Sequence, residues 1–259
     1  MTHNLIHLHA LGAHAALIEI DNPPANALGR EARSQLLAAL DRLDGDGNIR
    51  ALVLTGKGRA FCGGDDLKEQ EAAQKGGIAA RSAQLGEFGR ALARIEHFRV
   101  PVIAAVNGFC IGGGLELALC CDIRIASTEA SFTCAAVNVG LIASAWRLPR
   151  LIGEGAAKHM LLTGSAFDAA TAGKFGLVTA LHAPNELMSA ATVLAERIAS
   201  RAPLSVEASK RIASRANELN AQDGARAMND EITKLVQSAD HAEALAAFRE
   251  KRAPNFTRS

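Results

Sequence analysis

Hydrophobic positions along this chain of 259 residues follow two periods, and the changes from one to the other mark its elements. Leu5–His9 and Ala15–Ile20 flank Leu11-Gly12-Ala13, which predicts a hairpin. Arg30–Leu43 carries Leu36, Leu37, Leu40 and Leu43 at helical spacing and stops at Asp44-Gly45-Asp46-Gly47. Ile49–Thr55 is a continuous apolar run and predicts a buried strand, and Leu85–Phe98 predicts a helix. Val102–Val106, a helix after three glycines and then Asp122–Ala126 repeat a strand–helix–strand order. Glu154–Leu162 and Ala169–Phe175 read as helices, with Val178–Leu181 as a short strand. Strands alternating with helices predict an α/β fold. From Leu204 to Lys251 only helical spacing remains: Val206 and Ile212, then Met228, Ile232 and Leu235, then Ala242, Leu245 and Phe248. The expected organisation is a core over residues 1–200 and a helical assembly region over 201–259.

The stretch Ala104–Ile125 carries the most chemistry. An apolar strand ends at Val106, and Gly112, Gly113 and Gly114 then open an apolar helix. Glycine inside a helix costs roughly 0.8–1 kcal/mol relative to alanine, so three in a row call for a reason. Without Cβ atoms they admit a ligand to the unpaired N–H groups of a helix N-terminus, where partial positive charge gathers. That environment suits an anion or a carbonyl oxygen about to become one. Glu116 lies two residues further on in an otherwise apolar run, so an oxyanion cradle beside a carboxylate predicts enolate chemistry.

These motifs resemble the enoyl-CoA hydratase/isomerase (crotonase) family nearly end to end. Asn22–Leu28 (NPPANAL) is similar to its opening motif, and Ala51–Gly56 with Ala60–Lys68 (AFCGGDDLK) to its first oxyanion loop. Pro101–Asp122 is similar to the second loop, and Ala247–Phe256 to the C-terminal tail. The resemblance implies a spiral of ββα turns with a C-terminal helical region that builds trimers, commonly paired into hexamers. It implies an acyl-CoA thioester substrate, coenzyme A entering as part of that substrate and not as a separate cofactor. The amides of Asp65 and Gly113 would hold the thioester oxygen, and Glu116 would be the acid/base. Arg59 and Lys251 match positions that meet the 3′-phosphate, Lys68 falls near the adenine, and Phe248 aligns with an aromatic lining the coenzyme A site.

Three departures from the family pattern stand out. Asp65 replaces the usual small residue; a carboxylate there opposes an enolate unless it is paired or turned away, and an Asp65-Asp66 pair capping the next helix would account for both side chains. The second catalytic glutamate of the hydratases falls on Ala136, which cannot move a proton. Asn138 can orient water but is no base near neutral pH, Cys134 would need a lowered pKa, and Glu129 sits in a polar turn. The segment Leu141–Arg147 is shorter than in relatives by about three residues, lacks their glycines and carries the only tryptophan. Trp146 either narrows the acyl pocket and stacks on a flat acyl group, or packs. Hydratase or isomerase chemistry is the leading expectation. Decarboxylation, hydrolysis or binding of acyl-CoA without turnover are the alternatives.

Composition narrows the field further. The net charge of +1 and the lack of a long basic run give no support for nucleic acid or membrane-surface binding. No apolar run reaches the roughly 18 residues of a membrane span. The first residues have neither the charged segment nor the apolar run of a signal peptide, and five cysteines without C-x-x-C spacing read as reduced, so a cytoplasmic protein is expected. His7 and His9 alternate on a strand without a ligand set around them, so no metal is expected. Gly56-Lys57-Gly58 is only a tight turn, and no G-x-S-x-G elbow is present.

Overall fold

The structure is a computed structural model and describes residues 3–259. It opens with the expected hairpin of β1 (Ile6–Leu11) and β2 (Ala15–Ile20), paired from Ile6 with Ile20 to Leu11 with Ala15. His7 and His9 face Asp21 and Glu19 across it, at 3.3 and 3.8 Å. Helix α1 (Arg30–Asp44) follows, its buried stripe running through Leu36, Leu40 and Leu43. The chain then winds through β3 (Ala51–Gly56), β4 (Ala60–Cys62), α2 (Leu67–Lys75), α3 (Gly77–Glu96), β5 (Val102–Val106), β6 (Phe109–Ile111) and α4 (Gly113–Cys120). Next come β7 (Ile123–Ser127), β8 (Ser131–Thr133), a 3-10 turn at Ala135–Val139, α5 (Arg147–Ile152), α6 (Glu154–Thr163), β9 (Ala166–Asp168), α7 (Ala169–Lys174) and β10 (Ala180–His182).

Two sheets result. One has the order β1-β2-β3-β5-β7-β10 and is parallel from β2 onward; the other has the order β4-β6-β8-β9, parallel from β4 to β8. Three times the chain lays a strand in the first sheet and the next in the second before turning back, which is the expected spiral of ββα turns. Every strand of the second sheet has three residues, too short for a period to register in the sequence. The helix expected at Leu85–Phe98 begins earlier, at Gly77, because α2 and α3 follow one another with only Gly76 between them.

The central strands β3 and β5 of the first sheet are buried on both faces, which explains why they read as continuous apolar runs. Leu52 and Leu54 face the main core with Ile18, Ile20, Phe61 and Phe132. Val53, Ile103 and Ala105 face the other way, onto Leu187, Ala191 and Ala195 of α8 (Leu187–Ala199). Beyond it the chain is helical: α9 (Pro203–Ser214), α10 (Ala221–Leu235) and α11 (Ala239–Glu250). Helix α10 buries no side chain and, with the residue after it, turns Met228, Ile232 and Val236 outward. No helix among the described residues is long and apolar enough to cross a membrane.

Ion pairs tie this helical region to the core. Buried Glu207 of α9 receives Arg99 at 2.8 Å and Arg258 of the tail at 2.9 Å, and Lys210 meets Asp122 at 2.8 Å. Burial pushes the Glu207 carboxyl up, but the two guanidiniums outweigh it and hold its pKa below 4.5. A carboxyl so depressed stabilises the fold fully above the ordinary glutamate value, and that contribution fades as pH falls through the lower folded value. Glu207→Gln is expected to cost roughly 1–3 kcal/mol in urea unfolding at pH 7. The difference between variant and wild type should shrink on acidification below about pH 4.

Candidate active site

Strands β4 and β6 are parallel neighbours, so the loops leaving their C-terminal ends meet at one place, as ligand sites in α/β sheets commonly do. The first loop is Gly63-Gly64-Asp65-Asp66; the second is Gly112 and the first turn of α4. Gly112 has φ 54°, a left-handed conformation that favours glycine. Gly114 packs so tightly on the Cys62 carbonyl that a Cβ would fall onto it. The glycine run thus serves close packing of α4 on β4. Gly64, at φ 92°, lies flush with the second loop: a Cβ on it would sit 2.7 Å from the Gly113 nitrogen. Among the described residues, the N–H groups of Asp65 and Gly113 donate to no protein acceptor. Two free amides side by side form a cradle for one oxygen.

The side chains around the cradle depart from the sequence expectation in instructive ways. Asp66 alone caps α2, accepting from the N–H groups of Lys68 (2.8 Å) and Glu69 (3.2 Å). Asp65 does not share that role; it pairs instead with buried Arg33 of α1 at 2.8 Å. Burial pushes the Asp65 carboxyl up, against the pull of Gln70 and Arg33. Phe88 of α3 covers the other side of Gly113, where a Cβ would meet its ring at 2.7 Å. Asn138 is occupied, donating to the Gly164 carbonyl at 2.9 Å, so its amide ties the 3-10 turn to the end of α6. Ala136 lies in that turn and presents only a methyl group, while its neighbour Ala135 faces Gly112.

Glu116, in the first turns of α4, is buried, and its Oε2 accepts from Nη1 of Arg147 at 3.0 Å. Arg147 also donates to Glu96 at the end of α3, at 2.7 and 3.2 Å. One guanidinium therefore bridges two carboxylates from different helices. The hydrogen bond to Arg147 holds the Glu96 carboxyl below its usual range despite burial. Trp146 stacks on Arg147 (5.3 Å) and Arg150 (4.6 Å) and lies 56% exposed along the cleft between the core and the C-terminal helices. Its partners are two arginines of α5. Glu96, Arg147 and Phe88 escaped the sequence reading because no period or motif ties them to Glu116. Arg33 left one signal: it is a cation three residues before Leu36 on the apolar stripe of α1.

The fold agrees with that of similar proteins. The family described as enoyl-CoA hydratase/isomerase matches residues 12–259. The chain belongs to the enoyl-CoA hydratase/isomerase family. It is an enzyme acting on acyl-CoA, as that membership carries. It is 37% identical over 250 residues to the (E)-benzylidenesuccinyl-CoA hydratase of Thauera aromatica, covering 94% of this chain and 95% of the relative. The crotonyl-CoA hydratase of Syntrophomonas wolfei is also 37% identical over 250 residues, with 93% and 94% covered. The solved enoyl-CoA hydratase of Bacillus anthracis superposes with a TM-score of 0.93 at 32% identity, over 99% of this chain and 100% of that one.

Among the described residues, no hydrogen bond or ion pair links Arg59 or Lys68 to Phe248 or Lys251, the other two residues expected to meet coenzyme A. Arg59 and Lys68 are exposed on either side of the first loop, Arg59 lying 6.0 Å from the ring of Phe109. Phe248 (85% exposed) and Lys251 stand at the far end of α11, with no hydrogen bond or ion pair to that loop.

All five cysteines are buried, and burial pushes the thiols of Cys62, Cys121 and Cys134 up to about 12. Cys134 is therefore a thiol, not a thiolate, at neutral pH. Iodoacetamide at pH 8 is expected to modify none of the five in the native protein and all of them in guanidinium, as mass spectrometry would count.

Proposed function

We propose that the chain transforms enoyl-CoA thioesters through a thioester enolate, with the Asp65 and Gly113 amides as oxyanion donors and Glu116 as the single acid/base. The observation that carries this reading is the pair of unpartnered amides set side by side, with Glu116 on the helix that supplies one of them. Withdrawal of the α-proton places charge on the thioester oxygen, and fixed donors stabilise it without reorganising. Arg147 occupies Oε2 of Glu116, and Oε1 accepts no hydrogen bond from the protein, so one carboxylate oxygen stays available for the proton. A double-bond shift needs one base serving two carbons. Addition of water calls for a second group, which Ala136 does not supply. The site is accordingly better equipped for the shift than for hydration of an unactivated acyl chain.

Arg59 and Lys68 supply cations for the phosphates of coenzyme A, which suits their exposure beside the first loop. Phe248 and Lys251 complete that site from a neighbouring copy in a trimer or hexamer, in keeping with the exposure of both residues at the end of α11.

With crotonyl-CoA in D₂O, the wild type is expected to place deuterium at Cα, and Glu116→Gln to slow this by at least about 100-fold. Turnover that survives the substitution, or a wild type that binds the ester without deuteration, would defeat the assignment. Ala136→Glu, which restores a second carboxylate, is expected to raise hydration of crotonyl-CoA by about tenfold or more, read as loss of enoyl absorbance.

A further inference from the structure

We propose that Arg33 is a positioning residue for the oxyanion cradle, fixing the angle of the Gly64–Asp65 peptide and hence the aim of the Asp65 N–H; the proposal rests on the cradle reading above. Arg33 is 2% exposed on the core-facing side of α1. Its Nη1 donates both to the Leu28 carbonyl at 2.6 Å and to Oδ1 of Asp65 at 2.8 Å. The Leu28 N–H in turn donates to the Gly64 carbonyl at 2.7 Å. Leu28, Gly64, Asp65 and Arg33 thereby close a ring that holds the peptide by its carbonyl and by the side chain that follows it.

The consequence for the donor is geometric. The Gly64–Asp65 bond is not among the cis peptides, and in a trans peptide the C=O and N–H point in opposite directions. With Gly64 O held toward Leu28, the Asp65 N–H must face away from it, and it meets no protein acceptor there. Gly64 alone would leave this plane free to rotate, because its φ of 92° lies where glycine moves easily. The tether from Asp65 to Arg33 removes that freedom.

The same guanidinium settles the charge problem that Asp65 creates. Its carboxylate accepts from Arg33 on one oxygen and from Gln70 and Gln84, each at 3.3 Å, on the other. Nη2 of Arg33 donates to Glu69 at 3.2 Å and lies 3.5 Å from Glu87. Arg30 adds its N–H to Glu69 at 2.7 and 2.8 Å and its Nε 3.7 Å from Glu87. Without Arg33, a half-buried carboxylate would stand without a cation beside a developing enolate, held only by Gln70 and Gln84. A lysine does not replace it, because a single ammonium lacks the planar fork that spans Leu28, Asp65 and Glu69 at once.

The test uses a cinnamoyl-CoA bearing a para-dimethylamino group, whose charge-transfer absorption moves to longer wavelength as its thioester carbonyl is polarised. Bound to the wild type it is expected to shift to the red; bound to Arg33→Met it is expected to lose most of that shift while still binding. Arg33→Lys keeps the charge in the pocket, guards against a variant that does not fold, and is expected to show an intermediate shift. In turnover of crotonyl-CoA, kcat should fall about tenfold or more in both variants, with KM within about threefold. Such a split marks loss of an interaction made in the transition state. A full red shift or unchanged kcat in either folded variant overturns the role of Arg33 and leaves the cradle intact. A wild type that binds the probe with no shift defeats the cradle reading and the proposal with it.

Discussion

No side chain fits between the end of β4 and the start of α4, and much of the site depends on that contact. Gly114 lies on the Cys62 carbonyl, and Gly64 lies against the Gly113 nitrogen. Only at this separation do two amides from different turns of the spiral reach a common point. The approach is held from behind by parallel pairing of β4 with β6 and by the apolar core beneath, where Phe61, Cys62 and Cys110 are fully buried. Rigid elements therefore carry the donors, and the loops between them are short. Preorganisation of this kind lets hydrogen bonds act at full strength when charge develops.

Charge around the cradle is organised in two separate clusters. On one side Arg33 gathers Asp65 and Glu69, with Glu87 close by; on the other Arg147 bridges Glu96 and Glu116. In each, one guanidinium serves more than one carboxylate, while Asp66 of the first loop is satisfied by the N–H groups it caps. Arginine suits both places because its charge persists at any pH the protein meets and its donors lie in one plane. The two clusters draw on five helices, α1 and α2 with α3 for the first and α3, α4 and α5 for the second, which makes the electrostatics of the site a property of helix packing.

How much of this the sequence disclosed depended on whether the responsible signal was local. The hairpin, α1, the strands of the first sheet and the glycine-opened helix all announced themselves by period or by punctuation. The second sheet did not, since a strand such as Ser131–Thr133 offers a single alternation, and only the family resemblance implied it. Gly112–Gly114, costly in a helix, drew attention to the start of α4 and to Glu116, whereas the pairing of the Asp65 and Gly113 amides was implied only by the family resemblance. Asp65 was legible as an anomaly but not as half of a pair, because its partner lies 32 residues earlier. Trp146 was tied to the acyl pocket, or to packing, through the family position of its segment, and its stacking on two arginines left no signal in the sequence. The bond from the Asn138 amide to the Gly164 carbonyl, 26 residues away, left no signal in the sequence. Pairings between distant side chains follow from packing, and no window along the chain contains them.

The spiral separates the parts of the site by turn. The donors belong to the turns that begin with β3 and β5, while Ala136 belongs to the turn that begins with β7. A substitution in the third turn can alter how protons move without disturbing the peptide geometry of the first two. Lineages built on this architecture can therefore inherit the device that tames an enolate and change separately what is done with it, so that new reactions arise by editing one module of a standing scaffold.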